Sequence, residues 1–182
     1  MPLTLIKESL RQSLDKSFKE KFIMEVNIIA VSKIKESYLE EGIAEFLKRL
    51  QPYTRVNIIE ISDEKIAANP SKAEQEIVKD KEGERILAAI AERTYVIALD
   101  VKGKPMTSTG LAKSIKNLQI QGNSSISFII GGALGLGKEV LQKADYRMSL
   151  SHMTFTHQMA RLILAEQVYR AFKIIRGEPY HL

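Results

Sequence analysis

SISFIIGGALGLGKEVLQKADYRMSLSHMTFTHQMARLILAEQVYRAFKIIRGEPYH, residues 125–181, is the stretch around which the rest of the chain is read. Its apolar β-type run, Ile126 to Ile130, empties into a loop with glycines at Gly131, Gly132, Gly135 and Gly137. A short helical segment follows, then a second strand-like run, Tyr146 to Leu150, and a hydroxyl-rich turn from Ser151 to Thr156. The chain closes in a long apolar helix carrying His157, Arg161 and Arg170, and in a polar tail, GEPYHL, beyond the helix stop at Gly177. Glycine- or hydroxyl-rich turns at strand ends, next to a helix start, are the anatomy of a small-molecule site. The tail adds a surface for something larger.

Upstream, strand and helix patterns alternate. Val26 to Val31 is a β-branched run of the kind buried on both faces of a sheet. Ile34, Tyr38, Leu39, Ile43, Phe46, Leu47 and Leu50 recur at helical spacing and stop before Pro52. Val56 to Ile61 predicts the second strand, and Ser71 with Glu74 a capping box that opens a long helix interrupted at Gly83. Tyr95 to Leu99 predicts a third strand ending at Asp100, and Leu111, Ile115 and Leu118 a third helix. Such alternation predicts a single α/β domain, over residues 24–182, whose mostly parallel sheet is flanked by helices on both faces. Ligands then sit beyond the carboxyl ends of the strands, where the loops Asp100–Pro105, Gly131–Gly137 and Ser151–Thr156 compete for the role.

Residues 1–23 stand apart. Ile6, Leu10, Leu14, Phe18 and Phe22 fall four apart, which predicts an amphipathic helical appendage packing on the domain or a partner. Five basic against three acidic residues there are too weak a bias for a membrane-surface helix. The whole chain of 182 residues is long enough for one sizeable core, with a formal charge of +5 that permits a polyanionic partner. No apolar run approaches a bilayer span, so no membrane partner is expected. With no cysteine, disulfides and thiolate metal sites are excluded and a cytoplasmic setting is expected. His152, His157 and His181 have no metal-ligand spacing with carboxylates, so no metal is expected either.

The glycine loop is tested against two known patterns. No glycine in it has partners two and five positions later, so the dinucleotide fingerprint fails. Gly132 to Lys138 nearly matches a phosphate loop, but Glu139 stands where the magnesium-binding hydroxyl belongs. A nucleotide hydrolase using that loop therefore survives only as a rival. What the loop offers is backbone packed against a flat ligand such as an adenine or an adenosine sulfonium. The last helix is apolar over most of its circumference and needs cover on more than one side, either as a central core helix or against its own copy across a two-fold axis. The second reading, a homodimer, is preferred. His157 and Arg161 share a face at the start of that helix, and Arg170 has Glu166 one turn away.

From Met24 onward the chain resembles the ribosomal large-subunit pseudouridine methyltransferase H family, a SPOUT-class, α/β-knot group. The matching segments are KIKESYLEEGIAEFLKRL, DEK at Asp63 to Lys65, KEGERIL from Lys81, ALD with the GK at Lys104, FIIGGALGLG, and MSLSHMTFTHQMARLILAEQVYRAFKIIRGEPYH. The resemblance implies a deep trefoil knot in the C-terminal part, a homodimer, and S-adenosylmethionine bound among the knot loops. It also implies methylation at N3 of a pseudouridine in 23S rRNA, in assembled ribosomes. On this chain the implied cofactor contacts are Leu99, Gly131, Leu150, Ser151, His152, Met153, Thr154 and Phe155. The implied catalytic positions at a dimeric substrate cleft are His157, Arg161, Arg170, Tyr180 and His181, with an arginine stabilising the imide anion and a histidine taking its proton. Three departures stand out: Ser32 where a glycine is usual, Thr156 where a proline is usual, and residues 1–23, which have no counterpart. A non-catalytic RNA- or ribosome-binding dimer remains the other alternative.

Overall fold

The computed structural model describes residues 24–180; the appendage expected over residues 1–23 and the tail residue His181 lie outside them. Five strands, β1 (Glu25–Val31), β2 (Arg55–Ile61), β3 (Tyr95–Pro105), β4 (Ser125–Ile130) and β5 (Tyr146–Ser149), form one sheet in the order β2-β1-β4-β3-β5. Every pairing in it is parallel. Between and after them run α1 (Ser37–Leu50), α2 (Lys72–Ala89), α3 (Ser108–Ile120), α4 (Lys138–Lys143) and α5 (His157–Arg176).

The β-branched runs do what their composition demands. Side chains alternate across a strand, so β1 sends Val26, Ile28 and Ala30 into a large core with Phe128, Ile115, Leu164, Val168 and Phe172. Ile29 and Val31 point the other way, to Ile129, Ile86 and Val140. Thus α1, α3 and α5 cover one face of the sheet, and α2 and α4 the other. β4, buried along its whole length, is the central strand. The polar residues that do enter the sheet are satisfied in a chain at its amino end: Asn57 Nδ2 donates to Asn27 Oδ1, Asn27 Nδ2 to Ser125 Oγ, and Thr94 Oγ1 meets both Ser125 and Ser127.

Two expectations are corrected. The second helix is not interrupted at Gly83; it runs unbroken from Lys72 to Ala89, behind the expected capping box of Ser71 and Glu74. Nor does β3 end at Asp100. After a register shift between Leu99 and Lys104 it rejoins β5, so that Lys104 pairs with Met148 and Pro105 with Ser149. Glycine makes that return feasible, because a Cβ on Gly103 would stand 2.8 Å from the backbone of Arg147 and Met148.

The last helix is fastened at both ends. Thr156 caps it, its side chain accepting the Met159 N–H at 3.2 Å. Gly177 closes it in the left-handed conformation, with the Glu178 N–H returning to Lys173. Ala160, Leu164, Ala165, Val168, Ala171 and Phe172 are buried, mainly against α1, α3 and the sheet. Arg161 is buried with them, at 0% exposure. Its Nη1 donates to Glu60 Oε1 at 3.0 Å, and its Nη2 to the carbonyl of Val31 at 2.6 Å and to that of Ser32. Ser32 holds φ at +70°, a left-handed conformation that glycine adopts without strain. One guanidinium therefore joins α5 to the ends of β1 and β2. Arg161→Ala is expected to lower the unfolding free energy by about 3 kcal/mol in urea titrations, because two buried carbonyls lose their donor while half-exposed Glu60 rehydrates.

Candidate active site

A cavity of about 870 Å³ opens at the carboxyl ends of the strands. Leu99, Asp100 and Val101 of β3 form one wall, and the glycine loop from Ile130 to Leu136 another. Ser149 to Ser151 and Met153 to Thr156 close a third side, and the first turn of α5, His157 to Ala160, the floor nearest Arg161. Glu36, Tyr38 and Leu39 from the start of α1 complete the rim. The three competing loops thus make one site. Seven of the eight expected cofactor contacts line it, from Leu99 and Gly131 to Leu150, Ser151, Met153, Thr154 and Phe155. His152, exposed in the same turn, is not among the lining residues.

The turn is held from within, Ser149 Oγ donating to the Ser151 carbonyl and Ser151 Oγ accepting the Met153 N–H. Asp100 is the charged group of the β3 wall. Burial works against its carboxylate, but the Arg147 guanidinium and the Lys102 N–H outweigh burial and hold its pKa below the usual range. Large apolar groups remain exposed around the opening, Tyr38 at 61% and Met153 at 73%, with Val101 and Phe155 beside them among the lining residues. Exposed apolar rims mark sites that something flat or apolar covers.

His157 is the first residue of α5 and lines the cavity. Its Nε2 and Arg161 Nε are the two buried side-chain polar atoms that find no hydrogen-bond partner among the described residues. Burial, then the Arg161 charge, lowers the His157 pKa against a weaker opposing pull from Asp63. Both causes favour the neutral imidazole.

The other expected catalytic positions fall elsewhere. Arg161 does not reach the cavity: its guanidinium is spent on Glu60 and the two carbonyls, which corrects the expectation that it meets substrate directly. Arg170 and Tyr180 stand at the far end of α5, about 20 Å along the helix from His157. There the Arg170 guanidinium donates to Glu166 Oε1 at 2.9 and 2.6 Å and lies 4.8 Å from the Tyr180 ring centre. Tyr180 packs edge-on to Tyr169 and reaches Glu166 through its hydroxyl at 3.3 Å. Burial, then Glu166, raises its pKa, so the phenol stays protonated.

Some contributors escape a reading of the sequence. Tyr38 belongs to the helical repeat of α1 and reads as core, yet it is exposed at the cavity rim; its place one residue after the helix start was the available signal. Gln158 accepts the Lys35 N–H at 2.8 Å and so ties the rim segment to α5; no motif marks it. Lys138, needed by the hydrolase reading, does not line the cavity.

A parallel α/β sheet with a glycine-walled cavity at its carboxyl ends belongs to the class of α/β proteins that bind their ligands beyond the strand ends. Comparison with known proteins narrows this. A family model described as "Predicted SPOUT methyltransferase" matches residues 24–181. The chain belongs to the SPOUT methyltransferase family, and its sheet has the α/β-knot arrangement of that family. It is 68% identical over 158 residues to the ribosomal RNA large subunit methyltransferase H of Halothermothrix orenii, covering 87% of this chain and 99% of that protein. It is 57% identical over the same span to the protein of that name from Clostridioides difficile, with 87% and 99% covered. Among solved structures, a probable methyltransferase from Bordetella pertussis Tohama I has a TM-score of 0.50 at 11% identity, covering 84% of this chain and 98% of that one; this is a likeness of fold alone.

Because the folded-state pKa of His157 lies below its unfolded value, the folded state binds fewer protons between the two. Stability is full above about pH 6.5 and falls as pH drops through the lowered folded value. Thermal melts from pH 7.5 to pH 5 are expected to show this loss, and His157→Gln to flatten it.

Proposed function

We propose that this methyltransferase uses S-adenosylmethionine to methylate N3 of a pseudouridine in 23S rRNA, acting as a cytoplasmic homodimer on assembled ribosomes. The observation that carries it is the cavity itself, whose lining coincides with seven of the eight positions implied by the family resemblance. High identity to relatives named ribosomal RNA large subunit methyltransferase H supports the substrate.

The residues present fit the donor. Backbone at Gly131 and in the 149–155 turn offers donors and acceptors to an adenine edge, and Leu99, Leu150 and Phe155 offer apolar contact. When bound, S-adenosylmethionine supplies a methyl carbon already activated by its sulfonium, so the chain has chiefly to align the reactants. The acceptor imide is protonated at neutral pH. His157, neutral and with Nε2 unpartnered, accepts that proton as general base. Arg170 steadies the negative charge left on the ring, and Tyr180, with His181 of the tail, packs on or hydrogen-bonds the base. Arg161 is a positioning residue, fixing the first turns of α5 on which His157 rides.

The distance between these groups supports the homodimer. His157 and Arg170 cannot meet one base when about 20 Å of helix separates them. Two α5 helices packed antiparallel about a two-fold axis bring the start of one beside the end of the other, which unites the two sets. Ile163 is half-buried and Met153 exposed, so apolar surface is left for such packing to cover.

The test has two parts. Calorimetry is expected to show S-adenosylhomocysteine binding at micromolar concentrations, and nucleoside mass analysis to show loss of N3-methylated pseudouridine from 23S rRNA in cells lacking the chain. His157→Ala is expected to lower kcat about 10²- to 10⁴-fold with cofactor affinity retained. Unchanged kcat removes His157 from the proton transfer.

A further inference from the structure

On the side of the sheet away from α5, the glycine loop rests on α2. Glu82 is buried there at 3% exposure, and its Oε1 accepts the Glu64 N–H at 3.0 Å. A Cβ on Gly132 would stand 2.8 Å from Glu82 Oε2 and 3.3 Å from Oε1, so the carboxylate is packed directly on the loop backbone. The same helix meets the loop again where a Cβ on Gly137 would lie 2.9 Å from the Lys79 carbonyl oxygen. Gly132 lines the cavity on its other side.

A carboxylate is a costly choice for this position. Among the described residues Glu82 has no ion pair, and its charged surroundings are Asp63 and Glu64, which oppose ionisation, and Arg85, which favours it weakly. Arg85 is itself committed to Glu64 and the Ser62 carbonyl. Burial is the main cause that pushes the Glu82 pKa up. An apolar side chain of the same shape would fill the space at less cost, so packing alone does not account for the residue.

We infer that Glu82 is a positioning residue of the methyl-donor site: its carboxylate sets the height of Gly132 against the cavity and locks the glycine loop to the Asp63–Glu64 turn. Through that turn it also touches the proton-accepting side, since Asp63 acts on His157. The inference rests on the donor-site reading above.

The coupling between Glu82 and Gly132 distinguishes this role from plain support. S-adenosylhomocysteine binding is measured by calorimetry on wild type, Glu82→Ala, Glu82→Gln, Gly132→Ala and the Glu82→Ala/Gly132→Ala double variant, with the KM for ribosomal RNA alongside. Gly132→Ala is expected to weaken binding about tenfold or more in the wild-type background and clearly less in the Glu82→Ala background, where the opposing oxygens are gone and Val31 Cγ1, 3.1 Å from the added Cβ, is the remaining close contact. Glu82→Ala alone is expected to weaken binding about tenfold with KM for RNA unchanged, and Glu82→Gln, which keeps the shape, to restore most of it. An equal Gly132→Ala penalty in both backgrounds, or wild-type affinity in both Glu82 variants, overturns the inference while leaving the donor site intact. Absence of binding in wild type overturns the donor-site reading and the inference together.

Discussion

A single buried guanidinium sets the geometry on which the site depends. Arg161, fully out of solvent, donates through Nη1 to Glu60 and through Nη2 to the carbonyls of Val31 and Ser32, while its Nε finds no partner among the described residues. Those carbonyls mark the end of the central part of the sheet, where β1 leaves its pairing with β4 and β2. Burying a charge is costly unless it is paired and hydrogen-bonded, so α5 has few ways to sit that keep these three bonds. The helix start is thereby fixed over the carboxyl ends of the strands, and His157 is held at the cavity one turn earlier. Gln158, bonded to the Lys35 amide, adds a second tie at the same place.

Function follows from what that fixation leaves over. The glycine loop and the 149–156 turn present backbone to the cavity, while the apolar rim at Tyr38 and Met153 stays open to a larger partner. Within one chain the polar groups suited to a methyl acceptor are divided between the two ends of α5. A neutral histidine stands at one end, and at the other a guanidinium bracketed by Glu166 and an aromatic ring. This division is the chemical reason for the homodimer proposed above.

Much of this was legible in the sequence because it depends on local pattern. Val26–Val31 and Ile126–Ile130 read as strands buried on both faces, and they are the two central neighbours of the sheet. The two turns at strand ends pointed to the cavity because they stand at the carboxyl ends of parallel strands; their hydroxyls and glycines also hold the turns themselves together. The capping box at Ser71 and Glu74 placed the start of α2 to the residue. What was not legible depends on contacts between distant segments. The polar stretch DVKGK carries no strand pattern, and it extends β3 only because Gly103 can lie on the backbone of β5. Gly83 reads as a helix break, yet it is where α2 lets Val140 approach, within 3.3 Å of its Cβ position. Arg161 reads as a substrate-cleft cation on the same face as His157, because nothing in its own neighbourhood shows that the carbonyls of Val31 and Ser32 await it.

The central claim is that the site is shared between two chains, and mixing two defective forms tests it most directly. His157→Ala and Arg170→Ala chains, each purified and shown inactive, are unfolded together, refolded as a mixture and assayed for methyl transfer to ribosomal RNA. A site built across a two-fold axis predicts recovery of about a quarter of wild-type activity, since half the dimers are mixed and each of these carries one wholly wild-type pair. A mixture as inactive as its components would show that His157 and Arg170 act within one chain or not at all, and would contradict the account.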